Sequence, residues 1–195
     1  MAAVDLYWLP LGAGGWFVRR NGRLYETIAA RVGRRRARAL YHAALRVEAR
    51  GGTFVIEQAP VRDGLGARRG VVAEGPVGAH WAGRLRIFRY EIRRWRGGRI
   101  PDVEEAVDSP RRLSADEELA ERLLELVAQV PTPTWGRDEL QAGEMWNSNS
   151  VIAWVLTRAG IDAATVEPPA GGRAPGWQAG VAVAGRPPRR PRSAF

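Results

Sequence analysis

The sequence predicts an α+β fold, an antiparallel sheet of hairpin-connected strands packed against two main helices. Three observations carry this reading. Several segments alternate apolar and polar residues around short glycine-bearing turns, two later segments repeat apolar residues at helical spacing, and Gly and Pro are frequent, at 23 and 13 residues. Period-two alternation marks half-buried strands, helical spacing marks amphipathic helices, and abundant turn formers argue against a helical bundle. With 195 residues and 45% hydrophobic content the chain can bury one sizeable core. A single domain over 1–185 and a disordered Pro/Arg-rich tail over 186–195 are expected.

In chain order, Asp5 to Leu9 suits a short strand, followed by a loop from Pro10 to Gly15. The glycines of that loop precede no Gly-Lys-Ser/Thr, so they read as a turn and not as a phosphate cradle. Asn21-Gly22 lies between Trp16–Arg20 and Arg23–Thr27 and predicts a type I′ hairpin, since both residues tolerate positive φ. Ile28 to Ala39 reads as an arginine-rich helix weakened by Gly33. Tyr41–Glu48 and Thr53–Ala59 form a second hairpin around Arg50-Gly51-Gly52. Alternation puts Tyr41, Ala43, Leu45 and Val47 on one face, and a two-residue turn adds Phe54 and Ile56 to it. His42 and Glu57 then share the other face, unless a bulge inverts the phase.

Gly70–Glu74 reads as a strand, and Arg84–Ile92 as one long strand with a bulge between Ile87 and Phe88. Ser114 and Glu117 form a capping-box pair for a helix with Leu119, Leu123, Leu126, Val127 and Val130 as its apolar stripe, stopped by Pro131. A second helix is predicted from Ser148 to Ala159 with Gly160 as its C-terminal cap, and Gln178–Ala184 reads as a last strand. Trp154 belongs to the core of the second helix, whereas Trp135, Trp146 and Trp177 are candidates for a pocket wall.

The net charge is +9 and all 30 basic residues are arginine. Their dispersal reads first as codon usage in a GC-rich genome and second as an anion-binding surface. Dense clusters occur only at 31–38, including Arg34, Arg35 and Arg36, and at 186–192. The absence of cysteine excludes disulfides, thiolate metal sites and thiol catalysis. Two histidines and no acidic spacing of the calcium-loop kind predict no metal and no cofactor. No apolar run approaches the roughly 20 residues of a membrane span, and the first residues lack a basic, apolar leader, so a cytoplasmic protein is expected.

Two short motifs suggest chemistry: Tyr41-His42 opening a strand, and Trp146-Asn147-Ser148-Asn149-Ser150 opening a helix. Together they resemble the circularly permuted papain-like group, which includes PPPDE-type peptidases, lecithin:retinol acyltransferase-like proteins and permuted NlpC/P60 proteins. The resemblance implies His42 as base, Ser148 at the position of the nucleophilic cysteine, and a polar residue on the next strand, Glu57, to orient the imidazole. A helix N-terminus can lower a thiol pKa and hold an oxyanion, but a serine hydroxyl also needs an aligned base. The exchange of cysteine for serine therefore makes a degenerate hydrolase-like domain, binding a peptide or acyl-bearing ligand, the first functional reading. An active amidase, esterase or acyltransferase using Ser148, His42 and Glu57 is the second. Nucleic-acid binding through Arg34, Arg35, Arg36 and the tail is the third. Plainer roles stand beside these: Asn147 and Ser148 as helix caps, His42 as a structural residue, Glu57 paired with Arg46, and His80 as a reserve base.

Overall fold

The structure, a computed structural model, describes residues 1–14, 38–61 and 69–187. Six strands form one antiparallel sheet: β1 (Ala3–Gly14), β2 (Tyr41–Ala49), β3 (Gly52–Pro60), β4 (Val71–Pro76), β5 (Arg89–Arg96) and β6 (Val107–Ser114). Their spatial order is β4-β5-β3-β2-β1-β6. Among the described residues three α-helices accompany it, α1 (Glu117–Leu126), α2 (Ser148–Ala159) and α3 (Trp177–Ala184).

The β2–β3 hairpin turns through Arg50-Gly51, with Ala49 opposite Gly52, Val47 opposite Phe54 and Leu45 opposite Ile56. That register gives the sheet two distinct faces. On one, Leu6, Trp8, Ala43, Leu45, Ile56 and Ile92 pack with Leu123, Val127, Ile152 and Leu156 of the helical layer. On the other, Tyr7, Leu9, Ala44 and Val55 are covered by Ile100, with Val103 and Ala106 packed alongside. The connection that follows β5 thus folds back over the second face, the face of His42.

Several elements differ from the sequence expectation. Pro10 does not begin a loop: β1 runs on to Gly14, with Pro10 opposite Tyr41 and the Leu11 amide donating to Leu40 O at 2.7 Å. Residues 84–88 alternate like a strand but form 3-10 turns at His80–Arg84 and Arg86–Phe88. The ladder partner of β5 ends at Pro76, opposite Arg89, so alternation before Arg89 has no strand to pair with. The strand β6 was not foreseen, and its last residue is Ser114. The α1 cap is Asp116, whose Oδ1 accepts from the Leu119 amide at 2.7 Å, while Ser114 Oγ accepts from the Asp116 amide.

The expected last strand is helix α3. Its small residues let it lie directly against α2: a Cβ on Gly180 would sit 2.2 Å from the Ser150 carbonyl oxygen. Helix α2 has the expected bounds and ends on Gly160 in the left-handed region at φ 103°. The predicted Asn21-Gly22 hairpin, the cluster around Arg34, Arg35 and Arg36, and tail residues 188–195 lie outside the described residues. Arg186, at the start of the expected tail, donates to Leu140 O and Gln141 O at 2.6 and 2.9 Å.

Candidate functional site at the split between two strands

The β2–β3 ladder stops at Leu45 and Ile56. Both strands continue, β2 beside β1 as far as Tyr41 and β3 beside β5 as far as Pro60. Continued in register, Ala44 would face Glu57 and Ala43 would face Gln58. A side chain takes that place instead. The Ala43 amide donates to Asn149 Oδ1 at 2.8 Å, and Asn149 Nδ2 donates to Tyr41 O at 3.0 Å. A carboxamide carries one acceptor and two donors, so it can stand in for a neighbouring strand's peptide group. The first turn of α2 is thereby seated in the gap between the two strands.

The rest of that turn is bonded just as fully. Asn147 caps the helix, accepting at Oδ1 from the Asn149 and Ser150 amides at 2.9 and 3.4 Å. Its own amide donates to Ser150 Oγ at 3.1 Å, which completes a capping box. Asn147 and Asn149 also each donate to Pro175 O at 2.9 Å, and Ser150 Oγ donates to Gly176 O at 2.7 Å. These bonds fix the helix N-terminus to the segment that leads into α3. Ser148 is the exception: its hydroxyl makes no hydrogen bond with any described residue.

Ser148 instead lines a cavity of about 360 Å³ together with His42, Gln58 and Asp102. Leu11, Trp95, Ile100 and Trp135 supply its apolar wall. Gln58 is 6% exposed, and neither its Oε1 nor its Nε2 has a hydrogen-bond partner. An unpaired buried carboxamide costs free energy that a ligand's own donor and acceptor can recover.

Burial pushes the His42 ring down to about 4, against the opposing field of Asp102. At neutral pH the ring is uncharged and keeps one nitrogen lone pair, as a general base requires. Asp102 is carried over the second face by the connection after β5 and sits in the left-handed region at φ 53°. Sequence reading missed this residue, although Pro-Asp after Gly-Gly is a turn signature.

Glu57, expected to orient the imidazole, is bonded to Arg93. The Arg93 Nη1 donates to Glu57 Oε1 at 2.6 Å, directly across the β3–β5 ladder. Arg93 also donates to Glu91 Oε1 at 2.5 Å, and Arg69 Nη2 lies 3.4 Å from the same oxygen. Burial raises the Glu57 carboxyl, while Arg93 opposes that shift. Glu57 therefore belongs to a buried charge cluster in the cavity wall, and the carboxylate whose field reaches His42 is Asp102. The alternative Glu57–Arg46 pair does not form either, since Arg46 binds Glu48 at 2.8 Å.

His80 is exposed, borders a different groove and does not reach the Ser148 cavity. Of the tryptophans proposed as pocket wall, Trp135 lines the cavity. Trp177 is core, with its ring centroid 5.0 Å from that of Trp8, and Trp146 is buried at 1% exposure. Gln58 carried a signal that was not read: it falls in the apolar phase of Phe54 and Ile56. Among the described residues no group of three or more histidines and acids could hold a metal ion, and no helix is long and apolar enough to cross a membrane. No family model matches the chain, and neither a curated protein nor a solved structure matches it.

Proposed function

We propose that this chain is a hydrolase-like domain of the permuted papain type that binds an acyl amide or short peptide segment. Ser148 stands at the nucleophile position of a degenerate site. The observation that carries the reading is Gln58, a buried carboxamide on the cavity wall with both ends unpaired. A ligand amide offers the matching acceptor and donor, and the apolar wall accepts its hydrocarbon part. Ser148 and His42 reach the same cavity without bonding to described residues, so they too are open to a ligand.

Titration calorimetry with N-acetyl-phenylalanine amide and its methyl ester tests this. Binding of the amide is expected to weaken about tenfold or more in Gln58→Leu, the effect of one orphaned hydrogen-bonding group. Equal affinity for amide and ester, or a Gln58→Leu variant that binds as well as the parent, would overturn the reading.

One observation favours catalysis as a second reading: a neutral His42 with Asp102 nearby faces the cavity that Ser148 faces. In that case Ser148 Oγ attacks a carbonyl, His42 takes its proton, and Asp102 supports the imidazolium. A fluorophosphonate reagent would then label the protein at Ser148. Labelling that persists in Ser148→Ala, or is absent from the parent, rejects it.

A further inference from the structure

Five large apolar side chains are exposed among the described residues, and four of them lie within residues 81–88 of the connection between β4 and β5. They are Trp81 at 73%, Leu85 at 55%, Ile87 at 77% and Phe88 at 41% exposure. Surface apolar residues scattered singly need no explanation, but a concentration of this kind marks a contact surface. Arg84 and Arg86, both exposed, stand between them in sequence. A groove of about 450 Å³ borders Trp81 and is lined by His80, Arg84 and Arg89, with Glu74 as its acidic member. Arg89 Nη1 lies 3.5 Å from Glu74 Oε2, and its Nε donates to Gly83 O at 2.5 Å.

We propose that the 81–88 connection inserts Trp81, Leu85, Ile87 and Phe88 into the surface of an anionic bilayer. Arg84 and Arg86 then meet the phosphate layer, with the adjacent groove open to a lipid headgroup. Apolar side chains flanked by arginine are the composition of an interfacial anchor, and tryptophan favours the boundary between hydrocarbon and water. The alternatives fit less well. Leu85 and Ile87 have no ring face on which a base could stack, as a single-stranded nucleic-acid platform requires. A second copy meeting the same patch would bring its own Arg84 and Arg86 against these, like charge on like charge. The proposal rests on this surface alone and is independent of the Ser148 cavity.

The absence of cysteine supplies a clean test. Ile87→Cys in the full chain, coupled to an environment-sensitive maleimide dye, is titrated with phosphatidylcholine vesicles with and without about 30% phosphatidylserine. A blue shift with the anionic vesicles is expected, and none for the dye at Glu167→Cys, which is exposed and outside the segment. In co-sedimentation, Trp81→Ser with Ile87→Ser should lower binding about tenfold or more. Arg84→Gln with Arg86→Gln should lower it by about the same factor and flatten its salt dependence. These positions are exposed, and circular dichroism of each variant checks that it is folded.

Three results would overturn the proposal. One is no binding to anionic vesicles. Another is vesicle binding by the Trp81→Ser/Ile87→Ser variant equal to the parent, which would assign the affinity to arginines elsewhere. The last is self-association without lipid that the same substitutions abolish, which would assign the patch to a second copy.

Discussion

Asn149 and Ser148 are neighbours in one helical turn, yet they belong to opposite kinds of environment. Both ends of the Asn149 carboxamide are paired: with Ala43 and Tyr41 in β2, and with Pro175 ahead of α3. Around Ser148 the cavity wall holds the paired Glu57 and Arg93, but Gln58, His42 and the serine hydroxyl make no such bonds and face its mostly apolar interior. A buried paired group holds a structure together, whereas an open one costs stability and is available to a ligand. The polar motif at the start of α2 therefore divides residue by residue into an anchoring part and a ligand-facing part.

The contrast breaks most sharply at the paired groups, in the cavity wall as well as around Asn149. Arg93→Met leaves Glu57 and Glu91 without their shared cation and should cost about 3–5 kcal/mol at pH 7, read by urea unfolding. The loss should shrink as pH is lowered, because a buried carboxylic acid is less costly than a buried carboxylate. Asn149→Ala strips partners from Ala43, Tyr41 and Pro175 and should cost about 3 kcal/mol, one to three for each group water cannot reach. Asn149→Asp sharpens the point. It keeps an acceptor for Ala43 but faces the Tyr41 and Pro175 carbonyls with a carboxylate, so it should be no better than alanine.

The open region should answer to pH. The folded-state pKa of His42 lies below its unfolded value, so the unfolded chain binds the extra proton between the two. Stability is therefore unaffected above about pH 6.5 and declines as pH falls toward 4, by at most about 3 kcal/mol. Glu57 acts in the opposite sense: its raised carboxyl favours folding at acid pH, and this contribution is lost as pH rises through its folded pKa. In His42→Gln the decline between pH 6.5 and 4 should flatten, as followed by unfolding at a series of pH values. The smallest effects belong to Ser148→Ala and Gln58→Leu. Each should change stability by less than about 1 kcal/mol, the latter in the stabilising direction, since an unpaired buried carboxamide is removed. A large loss in Ser148→Ala would erase the distinction between the two regions.

Helix α2, the β2–β3 hairpin and its register were legible because each carries a local signal. These are a polar cap, a glycine stop, and alternation around a two-residue turn. The shared face of His42 and Glu57 followed from parity alone. What could not be read locally depended on partners distant in sequence. Residues 84–88 alternate without a neighbouring strand, and Val181 and Val183 alternate on a helix whose small residues fit against α2. The pairing of Glu57 with Arg93 needed the β3–β5 register, and the approach of Asp102 to His42 needed the path of the connection over the second face. The role of Asn149 as a substitute strand was equally hidden, because a helix-opening asparagine reads as a cap wherever its side chain goes.

The interrupted ladder has a mechanical meaning as well. Below Leu45 and Ile56 the sheet consists of two leaves, β6-β1-β2 and β3-β5-β4, hinged at the Arg50-Gly51 end and spread at the other. The first turn of α2 is bonded to β2 where they part, and α3 packs closely on that turn at Gly180. A substitution at Gly180, remote in sequence from every residue of the cavity wall, would thus alter the gape of the cavity mouth.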